Sequence, residues 1–262
     1  MYAASLNPKA RPGLDNLHAD LWHADALARA PARVLATGDA LLNAELPGGG
    51  WPIGALTEIL QAPGVHNEWR LLLPALVHSG HGPVVLVGAP HVPFVPALAA
   101  QGLLTPRLLW VATPLAPTRL WATEQALRCA EVDAVLAWLP QARADQLRRL
   151  QMAAAEHAKL LFVMRPAHAL HDASPAVLRL WIGPPGQGSS PGQACGPTSA
   201  DRLEVQVLKR RGPPMAHALH LQARPARLSI LLAAHPVPSN PVPTQVHSNG
   251  DIHALDRTAV AA

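Results

Sequence analysis

The chain has 262 residues, of which 49% are hydrophobic and 15% charged, with a formal net charge of +4. This composition excludes an intrinsically disordered chain and predicts a folded core, and the small positive charge permits an anionic partner without specifying one. Two cysteines, Cys129 and Cys195, are too few for a disulfide scaffold, and no apolar run approaches the length of about 18 residues that a membrane span needs, so we expect a cytoplasmic protein.

The first part of the chain reads as a flexible end followed by short elements. Residues 1–16 carry Pro and Gly and predict a flexible N-terminus. Apolar residues at helical spacing predict an amphipathic helix over 17–32, and 39–46 is expected to form one or two helical turns. Three consecutive glycines at 48–50 predict a loop.

From residue 54 to residue 164 the sequence alternates between short apolar runs and helical patterns. Apolar runs separated by helices are typical of parallel strands that are buried on both faces of a sheet. The predicted strands are 54–60, 83–88, 107–112, 134–139 and 160–164. The predicted helices between them are 69–78, 94–101, 115–129 and 145–158. We therefore predict an α/β fold with a mostly parallel, twisted sheet flanked by helices.

The last part of the chain changes character. Residues 174–182 predict a further strand, and a low-complexity loop follows it. The alternation in 203–209 predicts a strand with which two later segments could pair as antiparallel edge strands, 217–221 and 228–232. Residues 233–262 are rich in Pro, Ser and Asn, show no periodicity and predict a disordered tail.

The loop after the first buried strand lies where a phosphate-binding loop would be expected. Such a loop needs glycines for close backbone approach, a Lys for the phosphates and a Ser or Thr for Mg²⁺. Here the corresponding residues are Gly64, His66, Asn67, Glu68 and Arg70. Glu68 would repel phosphate near a helix N-terminus, and Arg70 is either a phosphate contact or a solvated helix charge. The sequence predicts a degenerate nucleotide loop and no cofactor.

Two further strand ends also lack the groups that hydrolysis requires. Gly88-Ala89-Pro90-His91 offers no carboxylate to activate water, and Trp138-Leu139-Pro140 offers none to hold a metal ion. The 14 histidines are scattered over loops rather than arranged as ligands, so no metal site is predicted. The protein is therefore expected not to be an enzyme.

Tryptophan accounts for 7 residues, an unusual share of the few aromatic side chains. Trp51 lies in the glycine-rich loop and is interpreted either as a partner-binding anchor or as a packing residue. The others on or beside predicted core elements are interpreted as packing residues: Trp110, Trp121, Trp138 and Trp181.

The densest basic cluster is Lys209, Arg210 and Arg211, at the end of the predicted strand 203–209. Lys and Arg side chains at one sheet edge could neutralise DNA phosphates. The alternative is a solvated hairpin turn. The sequence leaves both open.

Five segments together carry a family resemblance: Pro47–Ile59, Arg119–Arg128, Ala134–Pro140, Phe162–Pro166 and Leu203–Arg210. The chain resembles the RecA core, and more closely the ImuA family of translesion-synthesis accessory proteins, which is itself similar to the cell-division inhibitor SulA. The resemblance covers roughly residues 17–232, which we expect to form one RecA-like domain.

The resemblance places Asn67 and Glu68 where the Lys and Thr of the RecA phosphate loop would fall, and Pro90 where the catalytic Glu would fall. It implies a scaffold in a damage-induced (SOS) translesion polymerase complex. The implied partners are an inactive Y-family polymerase-like protein of the ImuB type and an error-prone replicative-type polymerase, with DNA as a further candidate. Two alternatives stay open: a SulA-like inhibitor that binds FtsZ, and a degenerate nucleotide-binding protein that uses Arg70 in place of the Lys.

Overall fold

A computed structural model describes residues 33–62, 64–183, 202–215 and 217–222. Several sequence predictions concern residues outside these ranges and remain predictions. They concern the N-terminus, the first helix, the last edge strand, the C-terminal tail and Cys195: 1–16, 17–32, 228–232 and 233–262.

The described residues are organised around an eight-stranded sheet. Its strands are β3 (Ala55–Gln61), β4 (Val84–Val87), β5 (Leu108–Val111), β6 (Ala134–Trp138), β7 (Leu160–Pro166), β8 (Leu178–Gly183), β9 (Arg202–Lys209) and β10 (Leu219–Gln222). The spatial order is β10-β9-β8-β3-β7-β6-β4-β5, in which β8 to β5 run parallel and β9 and β10 are antiparallel. Two short strands, β1 (Val34–Leu35) and β2 (Trp51–Pro52), pair separately.

Five helices accompany the strands within the described part of the chain: α1 (Ala40–Glu45), α2 (Glu68–Val77), α3 (Val95–Ala100), α4 (Ala116–Arg128) and α5 (Ala144–Glu156). The first three pack on one face of the sheet, and α4 and α5 pack on the other. This confirms the predicted α/β fold with antiparallel strands near its C-terminal end, an arrangement consistent with a RecA-like core. Among the described helices, none is long and apolar enough to cross a membrane.

Alternation along the central strands builds two cores from one sheet. Successive side chains of a strand point to opposite faces, so Val84 and Leu86 join the core under α2 while Val85 and Val87 join the core under α4 and α5. The strands β3, β4 and β6 are buried along their whole length, as predicted. The edge strand β5 differs: Leu109 and Trp110 are 51% and 41% exposed, because β5 has a neighbour on one side only.

Candidate functional site

The loop between β3 and α2 contains the residues that the sequence predicts as a degenerate nucleotide loop. Gly64 adopts a φ of +74°, which glycine tolerates without strain, and the Val65 amide donates to the Ala62 carbonyl at 3.1 Å. Asn67 is the N-cap residue of α2, but its side chain makes no capping hydrogen bond. The exposed His66 ring packs edge-on against His91, with 4.7 Å between ring centroids. The loop thus offers one imidazole and one amide, and His91 of the loop after β4 adds a second imidazole beside it.

Glu68 turns inward from this loop. Its side chain is buried, and its Oε2 accepts a hydrogen bond of 2.8 Å from Nε2 of the buried Gln61, the last residue of β3. A carboxylate therefore occupies the first turn of α2, where a phosphate loop would supply a cation and a hydroxyl. Arg70 points to solvent on α2, which is the position of a solvated helix charge.

Arg119 lies across the carboxyl ends of β4, β5 and β6, the three strands that follow this loop in the chain. Its Nε donates to the Thr113 carbonyl at 2.8 Å, and its Nη1 donates to the Trp138 carbonyl at 3.4 Å. A Cβ on Gly88 would come within 2.6 Å of the Arg119 Nε, so only glycine allows this approach at the end of β4. A cation thus lies at the strand ends where a hydrolase of this fold would need carboxylates.

A buried charge network lies on the α5 side of the sheet. Glu58 is fully buried and accepts from Arg165 Nη1 at 2.8 Å and from Arg179 Nε at 2.7 Å. Arg165 Nη2 also donates to Asp172 Oδ2 at 2.8 Å and to the Ala142 carbonyl at 3.0 Å. The buried Glu58 carboxylate is thus paired, as a buried charge must be, and Asp172, whose side chain is 53% exposed, offsets the second positive charge. We call these four side chains the buried charge network.

The buried charge network also holds the segment after β7 in place. Arg179 Nη2 donates to the Ala169 carbonyl at 2.9 Å, within a short 3₁₀ turn over Ala167–His171. The turn is tied back to the sheet by the side chains of β7 and β8.

Trp51 is completely buried, which corrects its interpretation as a partner-binding anchor. The indole packs edge-to-face on Phe162, with 5.4 Å between ring centroids, in the core under α1 and α2. The glycine-rich loop allows this because Gly50 lies against the backbone of Leu35, where a Cβ would collide. The ring is therefore inaccessible to a partner, and Trp51 is a packing residue.

The basic cluster at the end of β9 is divided by its contacts. Arg210 forms a salt bridge of 2.9 Å with Glu45 Oε2, and its side chain is only 13% exposed. Lys209 is exposed while its Nζ donates to the Ser174 carbonyl at 3.1 Å, and Arg211 is exposed. Only Lys209 and Arg211 present charge to solvent, so Arg210 has a structural task that the sequence did not indicate.

A groove of about 670 Å³ opens between the N-terminal parts of α4 and α5, at the carboxyl ends of β5 and β6. Its apolar wall includes Leu115 and Trp121, which are 64% and 63% exposed. This corrects the packing interpretation of Trp121. We call this feature the α4–α5 groove.

Three arginines and one glutamate line the α4–α5 groove: Arg119, Arg143, Arg149 and Glu124. Glu124 is paired with Arg128 at 2.9 Å and with Arg149 at 2.7 Å. Arg143, at the rim, bonds to Asp145 at 3.2 Å; this hydrogen bond lowers the pKa of Asp145 and raises that of Arg143. The lining therefore carries more positive than negative charge.

Sequence reasoning missed the groove and the buried charge network for the same reason. Helical periodicity marks Trp121 as apolar, but it does not say that the side chain lines an open groove between α4 and α5. Likewise, Glu58 is the one acidic residue in the predicted strand 54–60, and its partners Arg165 and Arg179 lie far along the chain. That single acidic residue within GALTEIL was the available signal, since a buried charge requires a partner.

In the part of the chain that the structure describes, no group of three or more His, Cys, Asp or Glu side chains is placed to hold a metal ion. The comparisons with known proteins are equally plain. Neither a scan against protein-family models nor a search of curated proteins found a match to this chain.

Proposed function

We propose that this protein is a non-catalytic accessory protein of a damage-induced translesion polymerase complex, as its resemblance to the ImuA family implies. The observation that carries the non-catalytic part is the inward-facing Glu68, bonded to Gln61 at 2.8 Å at the start of α2. A buried carboxylate there opposes the binding of a triphosphate, since anions repel at short range in a weakly polar site.

The second support is the position of Arg119. In a nucleotide hydrolase, carboxylates at the strand ends activate water and hold Mg²⁺. Here a guanidinium donates to the carbonyls of Thr113 and Trp138 at the same end of the sheet. A cation at that place would repel Mg²⁺, so the sheet is better suited to display surfaces than to carry out phosphoryl transfer.

The partners in this proposal are an inactive Y-family polymerase-like protein of the ImuB type and an error-prone replicative-type polymerase. DNA contact, where it occurs, would use Lys209 and Arg211, because Arg210 is engaged with Glu45. The protein would act by holding these partners together.

The test is capture of partners by the tagged full chain from DNA-damaged cells, with nuclease treatment to remove DNA-bridged proteins and undamaged cells as the control. We expect mass spectrometry to identify polymerase-family proteins after damage. Recovery of FtsZ without a polymerase would replace this proposal with the SulA-like alternative. Saturable binding of ATP in a titration, weakened by Arg70→Ala, would replace it with the nucleotide-binding alternative.

A further inference from the structure

We propose that the α4–α5 groove binds an acidic peptide segment with an aromatic or aliphatic anchor side chain, supplied by a partner protein. This inference rests on the proposed function in one respect: a scaffold needs a docking surface. The groove's volume of about 670 Å³ lies within the range of about 300–1,000 Å³ that is usual for ligand sites.

Two exposed apolar side chains line the α4–α5 groove. Trp121 and Leu115 leave 63% and 64% of their surfaces in water, although Leu120 and Leu150 line the same groove. Large apolar groups exposed side by side mark binding sites more often than they occur by chance, and Trp is among the residues that dominate binding energy. An inserted apolar side chain would bury this wall.

Arg119 supplies charge at the base of the groove. Its guanidinium is held by the carbonyls of Thr113 and Trp138, and among the described residues no carboxylate forms a salt bridge with it. A fixed cation bonded only to neutral carbonyls favours an incoming anion, because its orientation is already established.

Two further arginines supply charge at the rim. The side chains of Arg143 and Arg149 are 72% and 70% exposed, so each can add a carboxylate ligand without losing its present partner. Arg143 is also the N-cap residue of α5, where the helix dipole disfavours a cation. The positive end of the α5 dipole and the Arg143 guanidinium have the same sign, so both make the potential at the groove rim more positive.

The arrangement favours a peptide over a nucleic acid strand. A phosphate backbone needs a continuous positive track, and here Glu124 and Asp145 interrupt it between the arginines. Separate carboxylates on a peptide can reach the individual arginines and avoid the two acidic side chains. Bidentate bonding between guanidinium and carboxylate adds geometric specificity.

The experiment is selection of a displayed library of short random peptides on the full chain. Enriched peptides are expected to carry net negative charge and a Trp, Phe or Leu. Their binding, measured by fluorescence polarisation, should weaken at least about tenfold in Trp121→Ala and in Arg143→Glu. The matched controls are Trp110→Ala, an exposed Trp on β5, and Arg148→Glu, an exposed Arg on α5 that does not line the groove.

No enrichment, enrichment of peptides without acidic residues, or equal binding by the groove variants and their controls would each overturn the inference. Groove-dependent binding of an oligothymidylate instead of the peptides would also overturn the inference. Repeating the partner capture with Trp121→Ala separates the two proposals. Polymerases captured equally by this variant would leave the proposed function standing and remove the groove, whereas groove-dependent peptide binding without polymerase capture would do the reverse.

Discussion

Two charged clusters lie beside each other on the α5 face of the sheet, and they are built in opposite ways. In the buried charge network every carboxylate meets an arginine, and Glu58 is fully buried. The α4–α5 groove is lined by three arginines and one carboxylate, Glu124, which pairs with only one of the three, and two of the arginines extend into solvent. The loop residue Ala142 joins the two, since its carbonyl accepts from Arg165 and it also lines the groove.

The difference teaches how to separate structural charge from charge that is available for binding. The desolvated part of the network, Glu58 with Arg165 and Arg179, holds the fold in one arrangement, because removing either sign there leaves an uncompensated buried charge. An unbalanced, hydrated cluster contributes little to stability and keeps its donors available. By this criterion Glu58 and Arg165 support the fold, and Arg143 and Arg149 serve the surface.

The largest expected effect comes from a substitution that breaks the buried charge network. Glu58→Ala leaves Arg165 and Arg179 without their carboxylate, and we expect the free energy of unfolding to fall by about 3–5 kcal/mol in urea denaturation. The matched control is Asp145→Ala at the groove rim, which should leave the free energy of unfolding almost unchanged because this side chain is exposed. Equal effects of the two substitutions would contradict the distinction between the clusters.

A second comparison uses tryptophan, which occurs both in the buried core, as Trp51, and in the α4–α5 groove, as Trp121. Trp51→Ala removes a fully buried ring packed on Phe162, and we expect it to lower the free energy of unfolding by about 3–5 kcal/mol. Trp121→Ala removes a ring that is 63% exposed, and a change within about 0.5 kcal/mol is expected. If thermal and urea denaturation rank the two in the other order, the packing role of Trp51 is contradicted.

A smaller effect is expected in the degenerate nucleotide loop. Glu68→Ala leaves the buried Gln61 Nε2 without its acceptor, which costs about 1–3 kcal/mol of unfolding free energy. Glu68→Gln keeps an acceptor oxygen and serves as the control with a smaller loss. We expect no saturable ATP binding by isothermal titration calorimetry in either variant, because no Lys is restored. ATP binding by Glu68→Gln would mean that the carboxylate alone blocks the site.

The smallest expected effect concerns the ion pair between Arg143 and Asp145 at the rim of the α4–α5 groove. Arg143 lowers the pKa of Asp145 in the folded state, so the stabilisation is present above the ordinary pKa of Asp and is lost as pH falls through the lowered one. Following the Asp145 carboxyl carbon by NMR, we expect its pKa to rise toward the ordinary value in Arg143→Ala. An unchanged titration would show that the ion pair at the rim does not form in solution.

Much of the fold could be predicted from the sequence. Helical and strand periodicities located α2, α4 and α5 and the parallel strands to within a few residues, because local patterning reports which elements form. β8 begins at Leu178 rather than at Ser174, since Pro175 has no N–H to donate to a ladder. The unsuitable residues of the nucleotide loop were also readable, as they depend on residue types in order.

Residue type and local period are the information that the sequence by itself determined: an α/β chain with a mostly parallel sheet. Exposure and pairing were decided only by the tertiary structure. Trp51 is buried and Trp121 is exposed although both are tryptophans near core elements, and Arg210 is paired with the distant Glu45 while Arg211 next to it is exposed. The physical reason is that burial and ion pairing depend on which distant segments meet.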